Sequence, residues 1–516
     1  MRVSILLLAI SILGAVSGYL RELSLASTFG ASHSTDAYFI AFSIPTTVGD
    51  LLIGSALVAS IVPTFTRISR GADGGERRSD LFALMAGLVL ASGSILAVVG
   101  AWAMPQIISS LAPGFDPSTH ALAVHYGRAL VWLLPVNGLL LLCTQTLNAS
   151  LIFVLPATSG FIANLMFFAS VFLGHDSWGR DIVLLGAVSG PSLMLAATLI
   201  RLRPLVLWRL GAISAASLPL LKDAIRLARP VLITLGIGSG LGLLTLSHVL
   251  VRASSTALGE GAASALSYAF RIYEAPITLL TSTAGVLILP AFANLYHDHD
   301  VAAIRRNARD LLGWTLPVLL PAAISVYLLA APLVRLLFYH GRFGYDDMLS
   351  TIAALHAFTP AIVFETVFMI LYRVFYALRR PGMAVGVSAA SIASLLLMLT
   401  LLPRGDSVFV PALKLSTSFA VAAGASLFCV HQLLGREAFP SLREILVQVA
   451  AASLPLLPVI AVRAIWSEPS FAAAIVDAAL YAAGYLVLAY FLMPRRVAAL
   501  FALRASRRGA RDRSAG

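Results

Sequence analysis

The sequence predicts an all-α polytopic membrane protein, and three observations carry that expectation. Runs of about 20 apolar residues follow one another along the whole chain. Only 12% of its 516 residues are charged, against 59% hydrophobic, and mean hydropathy is +0.90. The charges that remain gather in the short gaps between the apolar runs. A soluble domain carries roughly twice this charged fraction, so a chain this apolar takes lipid as its solvent.

About fourteen spans are legible, centred near residues 15, 52, 95, 135, 163, 193, 237, 280, 322, 362, 391, 421, 454 and 482. Helices are expected because segments of this length satisfy their backbone internally, whereas barrel strands would alternate in runs of about ten residues. Met1-Arg2 and the apolar run after them resemble a signal peptide. That run continues past an h-region into Arg21-Glu22, so it reads as the first retained span.

The loops orient the spans. With the N-terminus in the cytoplasm, the cytoplasmic gaps hold Arg67, Arg70, Arg77 and Arg78, then Arg201, Arg203, Arg209, Lys222, Arg226 and Arg229. Arg305, Arg306 and Arg309, Arg379 and Arg380, then Arg436 and Arg443 follow, and a tail with seven arginines from Arg495 to Arg513. The opposite gaps hold little beyond Arg180, Arg252, Arg342, Arg404 and Arg463, a ratio of roughly five to one in the direction of the positive-inside rule. An even number of spans with both termini cytoplasmic is expected.

The long basic gap at 201–229 divides the chain. The expected domains are an N-terminal six-helix lobe at 1–208, a second six-helix lobe at 209–435, a helix pair at 436–500 and a basic tail at 501–516. The halves share weak similarity. Leu111-Ala112-Pro113-Gly114-Phe115 precedes a span with Pro135 that ends at Leu147-Asn148-Ala149. Phe338-Tyr339-His340-Gly341-Arg342-Phe343 precedes a span with Pro360 that ends at Phe375-Tyr376-Ala377. Transporters that rock two halves about a central site are built from such repeats.

The net charge of +12 reports topology and headgroup contact rather than nucleic acid, because basic–aromatic patches are absent. Cys143 and Cys429 sit in apolar runs as small hydrophobes. The His297–Asp300 cluster reads as a solvated helix end. No nucleophile elbow, phosphate-binding Gly loop or paired metal motif marks an enzyme, and no cofactor is expected. Without an ATP site, transport would draw on the membrane potential, an ion gradient or the substrate's own gradient.

Charges at membrane depth are the strongest functional signal, since Arg or Asp at a helix centre costs about 2.5–3.5 kcal/mol on insertion scales. Arg21 and Glu22 lie late in the first span, Asp36 opens the second and Asp50 lies within it. Arg271 and Glu274 share one face of the eighth at i, i+3 spacing. Arg128, Arg252, Glu365 and Arg373 read as nearer span ends. Arg21 and Arg271 could face a phosphate in a cavity, where the guanidinium fork binds bidentately, or be neutralised by Glu22, Asp36 or Glu274. Asp36 could cap its own helix after Ser34-Thr35, and Asp50 could partner an arginine. Gly236, Gly238, Gly240 and Gly242 allow close packing or a bend in the seventh span.

Several segments together resemble the MurJ/MviN family of lipid II flippases in the MOP exporter superfamily. They are Phe29-Gly30-Ala31 with Thr35-Asp36-Ala37-Tyr38-Phe39, Val62-Pro63-Thr64-Phe65, Ala112-Pro113-Gly114-Phe115, Leu147-Asn148-Ala149, Tyr268-Ala269-Phe270-Arg271-Ile272-Tyr273-Glu274-Ala275-Pro276, Gly341-x-Phe343 and Phe375-Tyr376-Ala377. The resemblance covers nearly the whole chain. It implies two lobes about a central cavity with alternating access, and a last helix pair that holds a polyprenyl tail. The implied substrate is a lipid-linked anionic glycan, undecaprenyl-pyrophosphate bearing the peptidoglycan precursor. The implied setting is the bacterial inner membrane, among membrane lipids and cell-wall synthesis proteins. Arg21, Asp36 and Arg271 fall where the family keeps important charges.

The chain departs from that family at Ala15, Gly49-Asp50 and Gly54-Ser55, where the family carries cavity charges, and at Thr278, where Gly is common. A flippase for another polyprenol-linked oligosaccharide, a cation-coupled exporter and a transport-inactive envelope scaffold therefore stay open as alternatives. No acidic cluster for a sodium site is apparent in spans eleven and twelve.

Overall fold

The structure, a computed structural model, describes residues 2–49, 74–203, Pro219, Lys222, 240–297, 300–403, 405–465 and 470–494. Among the described residues every regular element is helical. Asp50, the Gly236-Gly238 part of the glycine series, the boundary at 208/209 and the basic tail lie outside them.

The chain begins with α1 (Arg2–Phe29), α2 (His33–Val48), α3 (Gly74–Leu111), the pair α4 (Pro117–Leu130) and α5 (Leu133–Ala149), α6 (Ser159–Trp178) and α7 (Ile182–Leu202). The chain resumes with α8 (Gly240–Ser255), α9 (Ala262–His297), α10 (Val301–Leu328), α11 (Ala330–Phe338) and α12 (Tyr345–Ala377). It ends with α13 (Pro381–Leu401), α14 (Phe409–Leu434), α15 (Leu442–Ser453), α16 (Leu456–Ile465) and α17 (Phe471–Leu492). Nine segments among the described residues are long and apolar enough to cross a membrane. They account for expected spans three to six and nine to fourteen, with Ser159–Leu202 holding two spans about a turn at Gly179. Expected spans one and eight fall on α1 and α9, and the expected centres of spans two and seven, near residues 52 and 237, lie outside the described residues.

The helix ends follow from local chemistry. Asp116 caps α4, accepting from the backbone N–H of Ser118 and Thr119 with Pro117 at the first helical position. These side-chain hydrogen bonds, from the hydroxyls of Ser118 and Thr119 first and their backbone N–H groups next, hold the exposed Asp116 carboxyl well below the usual range. Asp300 caps α10 through Ala303 N–H at 2.8 Å, so the acidic end of the His297–Asp300 cluster has a structural task. Lys414, a buried cation of α14, donates from Nζ to the carbonyls of Leu402 and Pro403 (3.2 and 2.9 Å) just past the end of α13.

The chain forms two compact units that interleave along the sequence. The first comprises Met1–Ile272, Leu336–Ala354 and Pro381–Ser418. Within it α1 runs along α6, α6 along α7, α2 along α4, α3 against α4 and α5, and α8 against α13 and α2. Small residues let these backbones meet: a Cβ on Gly190 would fall 2.4 Å from Ala163 Cα. The second unit comprises Tyr273–Arg335, Leu355–Arg380 and Phe419–Gly516. Here α15 and α17 lie against α10, fixed by Gln448 Nε2 donating to Gly313 O (3.2 Å) and Tyr485 Oη donating to Pro317 O (2.5 Å). The ion pair Arg309–Glu444 ties α10 to α15 at their polar end, and Arg305–Glu437 ties α10 to the turn before α15.

Candidate functional site

The segment Phe29-Gly30-Ala31-x-x-x-Thr35-Asp36 builds a clasp inside the first unit. Gly30 takes φ +68° to turn the chain between α1 and α2, and a Cβ there would press on Arg342 O at 2.8 Å. The carbonyl of Gly30 accepts from Thr35 Oγ1 and from Tyr268 Oη, both at 3.1 Å. Gly341, at φ +62°, brings its loop against Ser27, whose carbonyl accepts from Arg342 N–H at 2.9 Å. Phe338 and Phe343 pack on the Tyr268 ring with centroids 5.0 and 5.6 Å away.

Asp36 is the buried centre of this clasp. Its own helix is opened instead by Ser32 and Thr35, with Ser32 N–H donating to Thr35 Oγ1 at 2.9 Å. Of the two roles the sequence leaves open for Asp36, capping its own helix is the one the structure excludes, because its carboxylate points across to the start of α9. It accepts from Gly261 N–H (2.8 Å), Ser264 N–H (2.7 Å) and Ser264 Oγ (2.5 Å). A carboxylate here satisfies the orphan donors of the α9 N-terminus and matches the positive end of its dipole. His33, one turn earlier, stands between acids: Nε2 is 3.1 Å from Glu260 Oε2, and Nδ1 is 2.8 Å from Thr119 Oγ1 and 3.5 Å from Asp116 Oδ1.

Arg21 and Arg271 lie along the same turn of α1. The Arg21 guanidinium pairs with Glu22 at 3.3 Å, one of the partners the sequence offered, and lies over the rings of Phe42 and Phe167 at 5.1 and 5.4 Å. Arg271 comes from α9, rests on Gly18 and Tyr19, and has its guanidinium carbon 5.5 Å from the Tyr19 ring centroid. Tyr19 Oη donates to the Arg271 carbonyl at 3.2 Å, fixing the two helices in register. The buried Nε atoms of Arg21 and Arg271, and Glu22 Oε2, have no hydrogen-bond partner among the described residues. Buried donors of this kind are costly without water or a ligand.

Glu274 continues α9 three residues on and belongs to the second unit, whereas Arg271 belongs to the first. In that second unit Glu365 lies well inside α12 and is buried, not near a span end as the sequence suggested. Tyr273 Oη donates to Glu365 Oε2 at 3.1 Å, and the Tyr273 ring stacks on Phe358. The missed signal was the length of α12, which spans 33 residues and puts Glu365 in its interior. Among the described residues, no group of three His, Cys, Asp or Glu side chains is placed to hold a metal.

The family described as "Lipid II flippase MurJ" matches residues 25–485. The chain belongs to the MurJ family. The lipid II flippase MurJ of Burkholderia cenocepacia is 26% identical over 449 residues, covering 82% of this chain and 80% of that protein. The probable lipid II flippase MurJ of Rhizobium meliloti is 27% identical over 392 residues, 74% of this chain and 72% of its own. Among solved structures, lipid II flippase MurJ in an inward closed conformation superposes with a TM-score of 0.77 at 20% identity, covering 96% of this chain and all of that one. An inward-facing multidrug MATE transporter of the MOP superfamily superposes at 0.65 with 15% identity, over 83% of this chain and 98% of its own. These likenesses show an all-α transporter fold, and MurJ membership makes this a multi-pass membrane protein of a transporter family rather than an enzyme family.

Proposed function

We propose that this chain translocates lipid II, the undecaprenyl-pyrophosphate-linked peptidoglycan precursor, across the bacterial inner membrane by alternating access. The observation that carries the reading is the pair of half-buried guanidinium groups lying on one turn of α1, each with a buried Nε lacking a partner among the described residues. Diphosphate is the ligand such groups receive best, because each fork offers several fixed donors and a charge that stays on at every physiological pH. Glu22 offsets only part of that charge. Family membership and relatives named as lipid II flippases support the same substrate.

In this reading Arg21 and Arg271 hold the diphosphate. Asp36 acts as a gate by joining α2 to the start of α9 in one conformation and releasing it in another. Both termini lie in the cytoplasm, in keeping with the basic loops. The energy comes from the membrane potential or an ion gradient, to which a buried carboxylate such as Glu365 could respond. Glu274 and Asp50 remain proposed contributors to binding or gating.

Complementation of a strain depleted of its lipid II flippase tests the proposal. Rescue by the wild-type chain, lost in both Arg21→Ala and Arg271→Ala at equal membrane abundance, is the expected result. No rescue from a well-expressed chain would remove lipid II as substrate.

A further inference from the structure

A mostly apolar cavity with a row of polar side chains lies within the first unit, away from the guanidinium pair. This open cleft holds about 640 Å³ between α2, α5 and the start of α6, and neither Arg21, Asp36 nor Arg271 lines it. Its volume falls in the roughly 300–1,000 Å³ range of ligand cavities. Asn137, Thr144 and Asn148 recur at intervals of seven and four on α5, which places them on one helix face, with Gln145 beside them. Pro45 of α2 and Gly49, which caps its end, form the opposite wall, where Gly49 leaves room that a side chain would fill.

The described lining of this cavity is neutral. No charged side chain lines it among the described residues. The amides of Asn137, Gln145 and Asn148 make no hydrogen bond among the described residues, and Ser159 Oγ is buried without a partner. Each amide presents two donors and an acceptor. Half-buried amides of this kind are expensive unless they meet water or a hydrogen-bonding ligand. A hydrocarbon chain would desolvate them without compensation, and a phosphate would find no cation. Hydroxyl and acetamido groups on apolar ring faces match both the amide row and the apolar remainder of the wall.

We propose that this cavity is a subsite for the uncharged glycan of the transported lipid, with Asn137, Gln145 and Asn148 as its specificity-determining residues. The proposal rests on the transport reading above. It divides recognition in two: guanidinium groups at α1 take the diphosphate, and amides on α5 take sugar hydroxyl and N-acetyl groups.

The test uses the full chain in nanodiscs and three probes: an undecaprenyl diphosphate bearing an N-acetylated disaccharide, undecaprenyl diphosphate without sugar, and the free disaccharide followed by saturation-transfer NMR. Gln145→Leu and Asn148→Leu are expected to weaken binding of the sugar-bearing lipid about tenfold. They should abolish the free-disaccharide signal and leave the sugar-free lipid unchanged, which also reports intact folding. Gln145→Ala serves where leucine perturbs the helix. Equal weakening for both lipids, an unchanged affinity for the sugar-bearing one, or tighter binding of the sugar-free lipid by the leucine variants would each overturn the subsite. If the wild-type chain binds neither lipid, the transport reading fails on its own. The free disaccharide then decides the cavity: a signal lost in the variants upholds it, and no signal overturns it.

Discussion

Arg271 lays its guanidinium directly on Gly18 of α1: a Cβ at position 18 would stand 1.4 Å from Nη2 and 2.6 Å from Cζ. The obstructed group is the far end of a flexible side chain, so an added methyl evicts the guanidinium rather than parting two backbones. Alanine also favours a helix interior over glycine by about 1 kcal/mol. Gly18→Ala is therefore expected to leave thermal stability equal or higher while lowering transport about tenfold, the equivalent of about 1.4 kcal/mol of lost binding. Gly14→Ala, one turn away with nothing within 4 Å of its Cβ, is the matched control and should transport normally. Melting curves and a flipping assay on the two variants check this.

Asp36 offers a second test. Asp36→Asn preserves size but turns one acceptor into a donor that faces the N–H of Gly261 or Ser264. An unpaired buried N–H costs about 1–3 kcal/mol, so the variant should melt earlier and populate the clasped conformation less. Ser264→Ala removes a hydroxyl but keeps both backbone donors, and is expected to show the smaller effect. Accessibility of a cysteine placed in the 340–344 loop, measured by thiol labelling, reports how often the clasp opens.

Charge alone does not replace Arg21. Lysine keeps the cation beside Glu22 but cannot lie flat over Phe42 and Phe167 or offer a two-pronged donor set. The desolvated cation–π contacts are worth up to about 2 kcal/mol. Arg21→Lys is expected to retain membrane insertion and lose most transport. Wild-type activity in that variant would show that only net charge matters at this position.

The cap at Asp116 has a defined pH window. Its folded pKa is depressed by the Ser118 and Thr119 hydroxyls and backbone N–H groups, so its stabilisation is present above the ordinary carboxylate value of about 3.9. It fades as pH falls from there through the folded value. In a His33→Asn background, which removes the imidazole 3.5 Å from Asp116, the difference in melting temperature between Asp116 and Asp116→Ala should be constant from about pH 7 to pH 5 and shrink below about pH 4. A difference that grows on acidification would contradict the assignment.

The apolar runs made the helices legible, because hydrophobic length and loop charge report directly on a membrane span. Arg21, Asp36 and Arg271 were equally visible, since ionisable groups stand out against so apolar a background. Their partners were not. Gly18 carries no side chain, so nothing in the sequence links it to a residue more than 250 positions away. A cap on its own helix stays open for Asp36 in the sequence because local spacing cannot reveal that its acceptors aim at Gly261 and Ser264. Glu365 was read near a span end because the polar Tyr345-Asp346-Asp347 start of α12 blurred where that long helix begins. Asn137, Gln145 and Asn148 carry no charge, and only the cavity they line sets them apart.

The most direct test is the rate of lipid II flipping in proteoliposomes containing the purified chain, compared with Arg21→Ala and Arg271→Ala reconstituted to equal density. The account requires flipping by the wild type and a loss of at least about tenfold in each variant, with affinity for the sugar-bearing lipid falling in parallel. Flipping that survives both substitutions at the wild-type rate would contradict it.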